Sequence, residues 1–298
     1  MSAPSLSERI GCSTISFQHL PLEAALSEID RLGFSQFDLG ALPGVCDHVP
    51  ADLDAEAIEE ISALVRSSGL RARSVNGDIG DLNSIDADRG ERLSRLTALI
   101  DLSARIGADA LVLPCGSLGH EPMSTLPDDL DRVAGELARA AAIARVRGVE
   151  IWVESLHYLR LSWNRERAEA LHARLEGSGV RPILDVAHVV AAGDDVEDVV
   201  TSWGARIAHV HVRDAVPGDF NAPFGTGDVD LARTLRALDA IGYTGAYALE
   251  LPSSAYSDDA TDAIDADAAR AKSTLVDRAA ADLNTVITSL HPTEGTES

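Results

Sequence analysis

Residues 147–154 read Arg-Gly-Val-Glu-Ile-Trp-Val-Glu, and in this stretch one structural pattern gives way to another at the glycine. The Ala-rich stretch before Gly148 has the apolar spacing of an amphipathic helix. After the glycine, a short apolar run ends in an acid, Glu154, as is typical of a buried strand with a polar residue at its end. Glycine commonly ends helices because it adopts the left-handed conformation easily. The stretch therefore predicts a helix followed by a buried strand.

The same change of pattern recurs along the chain. Successive glycines of this kind are separated by 36, 38, 41, 31 and 63 residues, and the last interval is about two units long. A helix–strand unit of this length indicates a βα repeat and a parallel sheet. The six positions are Gly33, Gly69, Gly107, Gly148, Gly179 and Gly242.

Eight apolar runs fit the strands of such a sheet, and the clearest helices between them are 22–32, 55–67, 89–106 and 128–147. Eight strands with eight helices make a (β/α)8 TIM barrel, a single α/β domain. A doubly wound sheet is the alternative, but it has a glycine-rich phosphate turn after its first strand, and here Ser13-Thr14-Ile15-Ser16 follows. The predicted strands are 10–13, 36–39, 72–75, 110–113, 150–154, 182–185, 208–212 and 247–251.

The predicted catalytic barrel spans residues 10–290. We expect residues 1–9 and 291–298 to be loosely ordered or disordered, because both ends are polar. The acidic stretch 258–267 is interpreted as a solvated helix start.

Charge and composition exclude several classes of function. The chain has 25 basic and 48 acidic residues, a net charge of −23, which disfavours nucleic acids and anionic membranes as partners. Lys272 is the only lysine and lies in a polar segment, which strongly disfavours a lysine Schiff-base aldolase. Three cysteines without CxxC spacing, no apolar stretch of membrane-spanning length and no signal peptide predict a cytoplasmic protein.

Polar residues lie at or near the carboxyl ends of four consecutive predicted strands: Glu154, Asp185, His211 and Glu250. The active site of a TIM barrel lies at this end of its strands. Three carboxylates that converge with one imidazole repel one another unless a cation lies between them. Oxygen-rich ligands with one nitrogen favour Mn²⁺, with Mg²⁺ or Co²⁺ as alternatives. The sequence therefore predicts one divalent metal at this rim.

The chain also resembles a known family through Leu184-Asp185-Val186-Ala187-His188, His209–Asp214, Phe224–Asp230 and the segment from Leu238 to Glu250. It is similar to the sugar phosphate isomerase/epimerase family, with its xylose isomerase-like TIM barrel. Ketose 3-epimerases, hydroxypyruvate isomerase and inosose isomerases or dehydratases belong to this group. The resemblance implies that Glu154, Asp185, His211 and Glu250 hold a divalent metal, and that His188 and a nearby arginine contact substrate oxygens.

The chain departs from the family pattern on the substrate side. Ser155 stands where Asn is frequent, Asp38 where Glu is usual, and Arg213 where Lys or another polar residue is common. Gly225-Thr226-Gly227 is interpreted as a turn after strand seven, and His209 as core packing. The predicted substrate contacts are His188, Arg213, His157, His120 and Asp38.

These residues predict a metal-dependent isomerase or epimerase of a small keto sugar or related polyol. Glu154 and Glu250 would move a proton next to a carbonyl, through a metal-stabilised enediolate. A lyase on a cyclic polyol ketone or oxidised glycoside begins with the same step and stays open. An apurinic endonuclease and a sugar-binding barrel without activity are remoter alternatives. No arginine cluster marks a phosphate site, which favours an unphosphorylated substrate, and a homo-oligomer is left open.

Overall fold

The computed structural model describes residues 7–86, 88–251 and 266–290. Eight of the strands in these ranges are parallel and close into a barrel in the order β1-β10-β7-β6-β5-β4-β3-β2. The predicted TIM barrel is thus confirmed. Most of the two predicted disordered ends, and all but the last two residues of the stretch 258–267, lie outside the described residues. The barrel strands are β1 Ile10–Ser13, β2 Gln36–Ala41, β3 Arg71–Gly77, β4 Ala110–Pro114, β5 Glu150–Glu154, β6 Arg181–Asp185, β7 His209–Val212 and β10 Tyr247–Leu249.

Most strand boundaries agree with the apolar runs, and β1 and β5 have the predicted bounds. The main differences lie at the carboxyl ends: β2 and β3 each continue two residues past their predicted ends, to Ala41 and Gly77, and β10 ends two residues early, at Leu249. Asp38 therefore lies in the middle of β2 and not at its carboxyl end. The β2–β3 pairing explains the extension, because the register runs on through Leu39–Val75 to Ala41–Gly77.

The helices cover the outside of the barrel, and side-chain caps mark where many of them begin. Asp54, Thr125 and Asn164 each accept a backbone N–H from the first turn of the helix that follows. Such caps satisfy N–H groups that have no partner inside the helix. The helices are α1 Leu22–Arg31, α2 Ala55–Ser68, α3 Arg89–Ile106, α4 Leu126–Arg145, α5 Arg165–Arg174, α6 Val186–Ala191, α7 Val196–Trp203, α8 Leu231–Ala240 and α9 Ala266–Leu290.

The connection between β7 and α8 contains an antiparallel hairpin that the sequence analysis missed. Its strands are β8 Asp214–Val216 and β9 Asp219–Ala222. Pro217-Gly218 joins them, and Gly218 has a φ of 86°. Proline followed by a left-handed glycine is the signature of a type II turn. This dipeptide is the signal that could have revealed the hairpin.

The loop after the hairpin is held by one carboxylate. Asp214 accepts the backbone N–H groups of Gly225, Gly227 and Val229 at 2.8–3.2 Å. These N–H groups therefore bind a side chain of the protein itself, as expected for the predicted turn. The loop fixes the hairpin beside the carboxyl ends of β6 and β7.

The core fills the barrel and the space between strands and helices with buried apolar side chains, among them Phe17, Phe37, Leu111 and Trp203. Within the ranges that the structure describes, no helix combines the length and apolar character needed to cross a membrane.

Candidate active site

The four predicted metal ligands converge at the carboxyl ends of the strands. Glu154 and Asp185 end β5 and β6, His211 lies in β7, and Glu250 directly follows β10. All four are buried, and one ligand atom from each lies within 4.8 Å of the others. The Nδ1 atom of His211 is 3.1 Å from Oε2 of Glu250 and 3.8 Å from Oε1 of Glu154.

Several polar atoms of this cluster are buried without a hydrogen bond, among them Oδ2 of Asp185 and Nδ1 of His211. A buried polar atom without a partner is costly, so such atoms indicate a missing ligand. Three carboxylates and one imidazole also match the donors that Mn²⁺, Mg²⁺ and Co²⁺ accept. The residues therefore fit a divalent cation between Glu154, Asp185, His211 and Glu250.

The pKa values in the cluster show how strongly its charges interact. Burial raises the pKa of Asp185 to about 6, and the charges of Glu154 and Glu250 add to that rise against the opposing effect of Arg213. Burial disfavours the ionised form of Glu154 too, but the nearby His211, His157 and Arg213 together outweigh it, and the pKa falls to about 2. Burial lowers the pKa of His211, yet the negative charge of Glu250 and its other acidic neighbours raise it well above its ordinary value. The cluster thus stabilises positive charge at its centre.

Asp38 lies below this cluster, inside the barrel. Its Oδ2 atom is 2.7 Å from Nε2 of His209 and 3.5 Å from Nε2 of His211, while Ser74 donates a 2.8 Å hydrogen bond to Oδ1. The carboxylate is fully buried. The structure therefore places Asp38 beneath the predicted metal ligands, facing His211, because β2 continues past it. His209 is buried as expected, but it has a polar partner.

A cavity of about 610 Å³ opens above the four ligands, and Glu154, His157, His188, Arg213 and Glu250 are among its lining residues. Nη2 of Arg213 is 3.1 Å from Nε2 of His188, and the rings of His157 and His188 are 3.9 Å apart. Burial lowers the pKa of His188 well below its ordinary value, and the neighbouring His157 and Arg213 lower it further. His188 is therefore neutral at pH 7. Three predicted substrate contacts, His188, Arg213 and His157, thus share one wall.

His120 lies outside the lining of this cavity. Its Nε2 atom is 2.6 Å from the carbonyl oxygen of Tyr158, and its ring stacks on Trp163 at 4.7 Å. These contacts join the loops after β4 and β5. The structure therefore brings neither His120 nor Asp38 to the cavity wall.

Phe220 is a lining residue that the sequence analysis missed. It lies on β9, and its ring is 4.6 Å from the ring of His188 and 4.9 Å from the guanidinium carbon of Arg213. A cation–π contact of this kind holds an arginine side chain in place. The hairpin thus fixes the two polar residues that face the cluster.

Comparison with known proteins agrees with this architecture. A family model described as a xylose isomerase-like TIM barrel matches residues 26–274. The chain belongs to this family. The match runs from α1 into α9 and includes all four residues of the cluster.

The chain is also similar in sequence to individual named proteins. The chain is 29% identical over 232 residues to an L-ribulose 3-epimerase of Mesorhizobium japonicum, covering 74% of this chain and 72% of that protein. It is 28% identical over 256 residues to a putative hydroxypyruvate isomerase of Streptomyces coelicolor, covering 80% and 88% of the two chains. A solved structure of L-ribulose 3-epimerase superposes with a TM-score of 0.73 at 20% identity, over 97% of this chain and 99% of that one, and supports the fold.

Proposed function

We propose that the protein is a divalent-metal-dependent isomerase or epimerase of a small keto sugar or related polyol. The observation that carries the proposal is the buried cluster of Glu154, Asp185, His211 and Glu250 at the base of a cavity. Its unpartnered oxygen and nitrogen atoms match a cation, and its carboxylates suit proton transfer.

The four clustered residues would hold the cation, with Mn²⁺ the best match to the donors and Mg²⁺ or Co²⁺ as alternatives. A cation bound there supplies Lewis-acid polarisation of the substrate's carbonyl and neighbouring hydroxyl oxygens, which stabilises the negative charge of an enediolate.

Glu154 and Glu250 are the proposed acid–base pair. One carboxylate takes the proton from the carbon next to the carbonyl, and the electron pair of the broken C–H bond forms a carbon–carbon double bond as charge moves to the carbonyl oxygen. The other glutamate, in its protonated form, returns a proton, so the two side chains exchange protonation states in each turnover. Return to the opposite face of the same carbon gives an epimer. Return to the former carbonyl carbon gives an aldose–ketose isomer, provided that the proton of the neighbouring hydroxyl moves to the former carbonyl oxygen.

His188 and Arg213 would orient the substrate. Both line the cavity beside the two glutamates, and Phe220 packs against both. The guanidinium group can donate to hydroxyl or carbonyl oxygens as a charge-assisted donor, which fixes the reacting carbon relative to the bases.

The family membership and the named relatives support this class of reaction. An L-ribulose 3-epimerase and a putative hydroxypyruvate isomerase are both enzymes of small carbonyl substrates. A net charge of −23 further disfavours a nucleic acid substrate.

The test combines metal analysis with product analysis. The purified protein is analysed for bound metal, stripped with EDTA, reloaded with Mn²⁺ and incubated with a panel of ketoses. We expect about one metal per chain and an epimer or aldose–ketose isomer as product. A dehydrated product would establish the lyase alternative instead, and absence of metal binding would contradict the proposal.

A further inference from the structure

Exposed apolar side chains lie at the opening of the cavity. Of the large apolar side chains that the structure describes as exposed, three line this cavity: Val45 is 55%, Leu118 66% and Leu159 43% exposed. Glu154 and Glu250 in the same lining are buried, so the exposed three lie toward the opening. We call Val45, Leu118 and Leu159 the apolar rim.

Backbone hydrogen bonds hold the apolar rim in place. The loops after β4 and β5 pair with each other, since Gly119 donates to the carbonyl of Leu159 at 2.7 Å and Leu161 to that of Ser117 at 3.0 Å. Val45 lies in a tight turn, in which its own N–H and that of Cys46 donate to the carbonyl of Leu42 at 2.9 and 2.8 Å. The leucines and the valine are therefore presented by ordered backbone on loops that follow different strands.

The two arginines that line the cavity are already engaged within the protein. Arg160 donates to Oδ2 of Asp78 at 2.7 Å and to the carbonyl of Gly116 at 3.0 Å. Arg213 lies 3.0 Å from Oδ2 of Asp185 and 3.6 Å from Oε2 of Glu250. Recognition of a phosphate uses guanidinium or ammonium groups free to bind it, often bidentately. The charge of each guanidinium group is therefore already balanced by a carboxylate, although the Nε atom of each has no hydrogen-bond partner.

A second groove of about 790 Å³ shares Pro43, Asp78 and Gly80 with the cavity and is more acidic. Two arginines line it, and both donate to backbone carbonyls: Arg92 to Asp81, and Arg95 to Pro50 and Ala51. The chain outside the described residues contains no lysine or arginine. Six carboxylates line the same groove, those of Asp52, Asp54, Asp78, Asp81, Asp88 and Glu91.

We infer that the substrate is an uncharged ketose whose end distant from the reacting carbonyl is apolar, as in a terminally deoxygenated or alkyl-substituted sugar, and that phosphate esters are rejected. The inference rests on the proposed function and specifies its substrate class. With the polar head at the metal ligands, the distant end of the sugar lies at the apolar rim. An apolar group there removes exposed surface from water, whereas a phosphate would face apolar carbon and a groove in which six carboxylates outnumber two arginines.

Three matched substrates test the inference: a ketose, its terminally deoxygenated analogue and its terminal phosphate ester. We expect kcat/KM for the phosphate ester to be at least about tenfold below that for the free ketose, and the deoxy ketose to equal or exceed the free ketose; a pocket discriminates by roughly 10–200-fold per small apolar group. Preference for the phosphate ester would overturn the inference. Turnover of none of the three with metal bound would count against the proposed function instead.

Substitutions in the apolar rim provide a second test of the inference. Leu118→Ser and Leu159→Ser should lower the ratio of deoxy to free ketose kcat/KM by about tenfold, in line with the loss of an apolar contact in a pocket. Leu118→Arg should improve use of the phosphate ester. Val146→Ser is the control, because Val146 is 84% exposed at the end of α4 and lies outside the cavity lining.

If Leu118→Ser leaves the substrate ratio at its original value and instead changes the mass measured by light scattering, the leucines cover a contact between two copies of the chain. The substrate assignment would then be wrong.

Discussion

The Nε atom of Arg213 lies 3.0 Å from Oδ2 of Asp185, although the two atoms are not aligned for a hydrogen bond. The other oxygen of the carboxylate, Oδ1, accepts the backbone N–H of Ala187 at 2.8 Å and caps α6. Asp185 thus divides its two oxygens between a structural contact and the candidate metal site. The arginine balances part of the negative charge there.

This division allows the two roles of Asp185 to be separated by mutation. Asp185→Asn keeps an oxygen for the helix cap but removes the negative charge. We expect Mn²⁺ affinity to fall by about 100-fold or more, because the loss of a residue that only supports a metal ligand already costs about 10–100-fold. Asp185→Ala also removes the cap and should cost about 1 kcal/mol more stability. Calorimetric titration with Mn²⁺ and denaturation in EDTA measure the two effects. Unchanged Mn²⁺ affinity in Asp185→Asn would remove Asp185 from the metal site.

Replacing Glu250 by Gln should separate metal binding from proton transfer. The amide keeps an oxygen that can reach the cation but accepts no proton, so kcat should fall by about 10²–10⁴, the usual loss for a missing general base. His188→Ala, in contrast, should mainly raise KM, because it removes a positioning contact. Steady-state kinetics with metal content checked distinguish the two. If Glu250→Gln retains more than about a tenth of kcat, the loss is much smaller than that expected for a missing base, and Glu250 is not the base.

Asp38 should affect the metal site indirectly, through His211. Its carboxylate lies 3.5 Å from Nε2 of His211, on the side of the ring opposite Nδ1. A carboxylate in this position orients a metal-binding histidine, and its loss typically costs about 10–100-fold in metal affinity. We therefore expect Asp38→Asn to weaken Mn²⁺ binding in that range. Ser74→Ala should weaken Mn²⁺ binding less than Asp38→Asn does, since it removes only the hydrogen bond to Oδ1 of Asp38. Equal Mn²⁺ affinity in Asp38→Asn and the parent protein would show that His211 needs no such support.

The sequence was sufficient to predict the barrel and the members of the central cluster. The βα repeat was visible in the glycine spacing. The acids that end β5 and β6, Glu154 and Asp185, stand out because each follows an apolar run. Strand ends can be located from such runs because buried parallel strands are continuously apolar.

Contacts on the substrate side were harder to predict. The placement of Asp38 depends on two extra residues in β2, and strand ends are uncertain by that amount when only propensity is available. His120 lies in the correct loop but packs on Trp163, a contact between loops that no local pattern encodes. Phe220 lies on a strand of four residues that is too short to show a period.

Acid stability should depend on His172. Its Nε2 atom is 2.6 Å from Oγ of Ser155, and burial lowers its pKa from 6.5 to about 3. Between these values the unfolded chain binds a proton that the folded protein does not, so stability falls as the pH drops from 6.5 toward 3. His172→Gln should therefore reduce the decrease in Tm between pH 7 and 4.5, measured in EDTA.

Ser155→Ala is the matched control for this pH effect. It removes the hydrogen bond but keeps the titrating imidazole, so it should lower Tm while retaining the pH dependence. If His172→Gln and the parent protein lose Tm equally on acidification, other buried groups dominate acid unfolding.

Solvent deuterium incorporation tests the central claim most directly. The Mn²⁺-loaded protein is incubated with a ketose substrate in D₂O, and the carbon next to the carbonyl is followed by NMR. The account predicts exchange of that C–H for C–D at a rate that depends on the metal and is lost in Glu250→Gln. Conversion of the substrate with no deuterium at that carbon or at the former carbonyl carbon, in either product or recovered substrate, would contradict proton abstraction by Glu154 and Glu250.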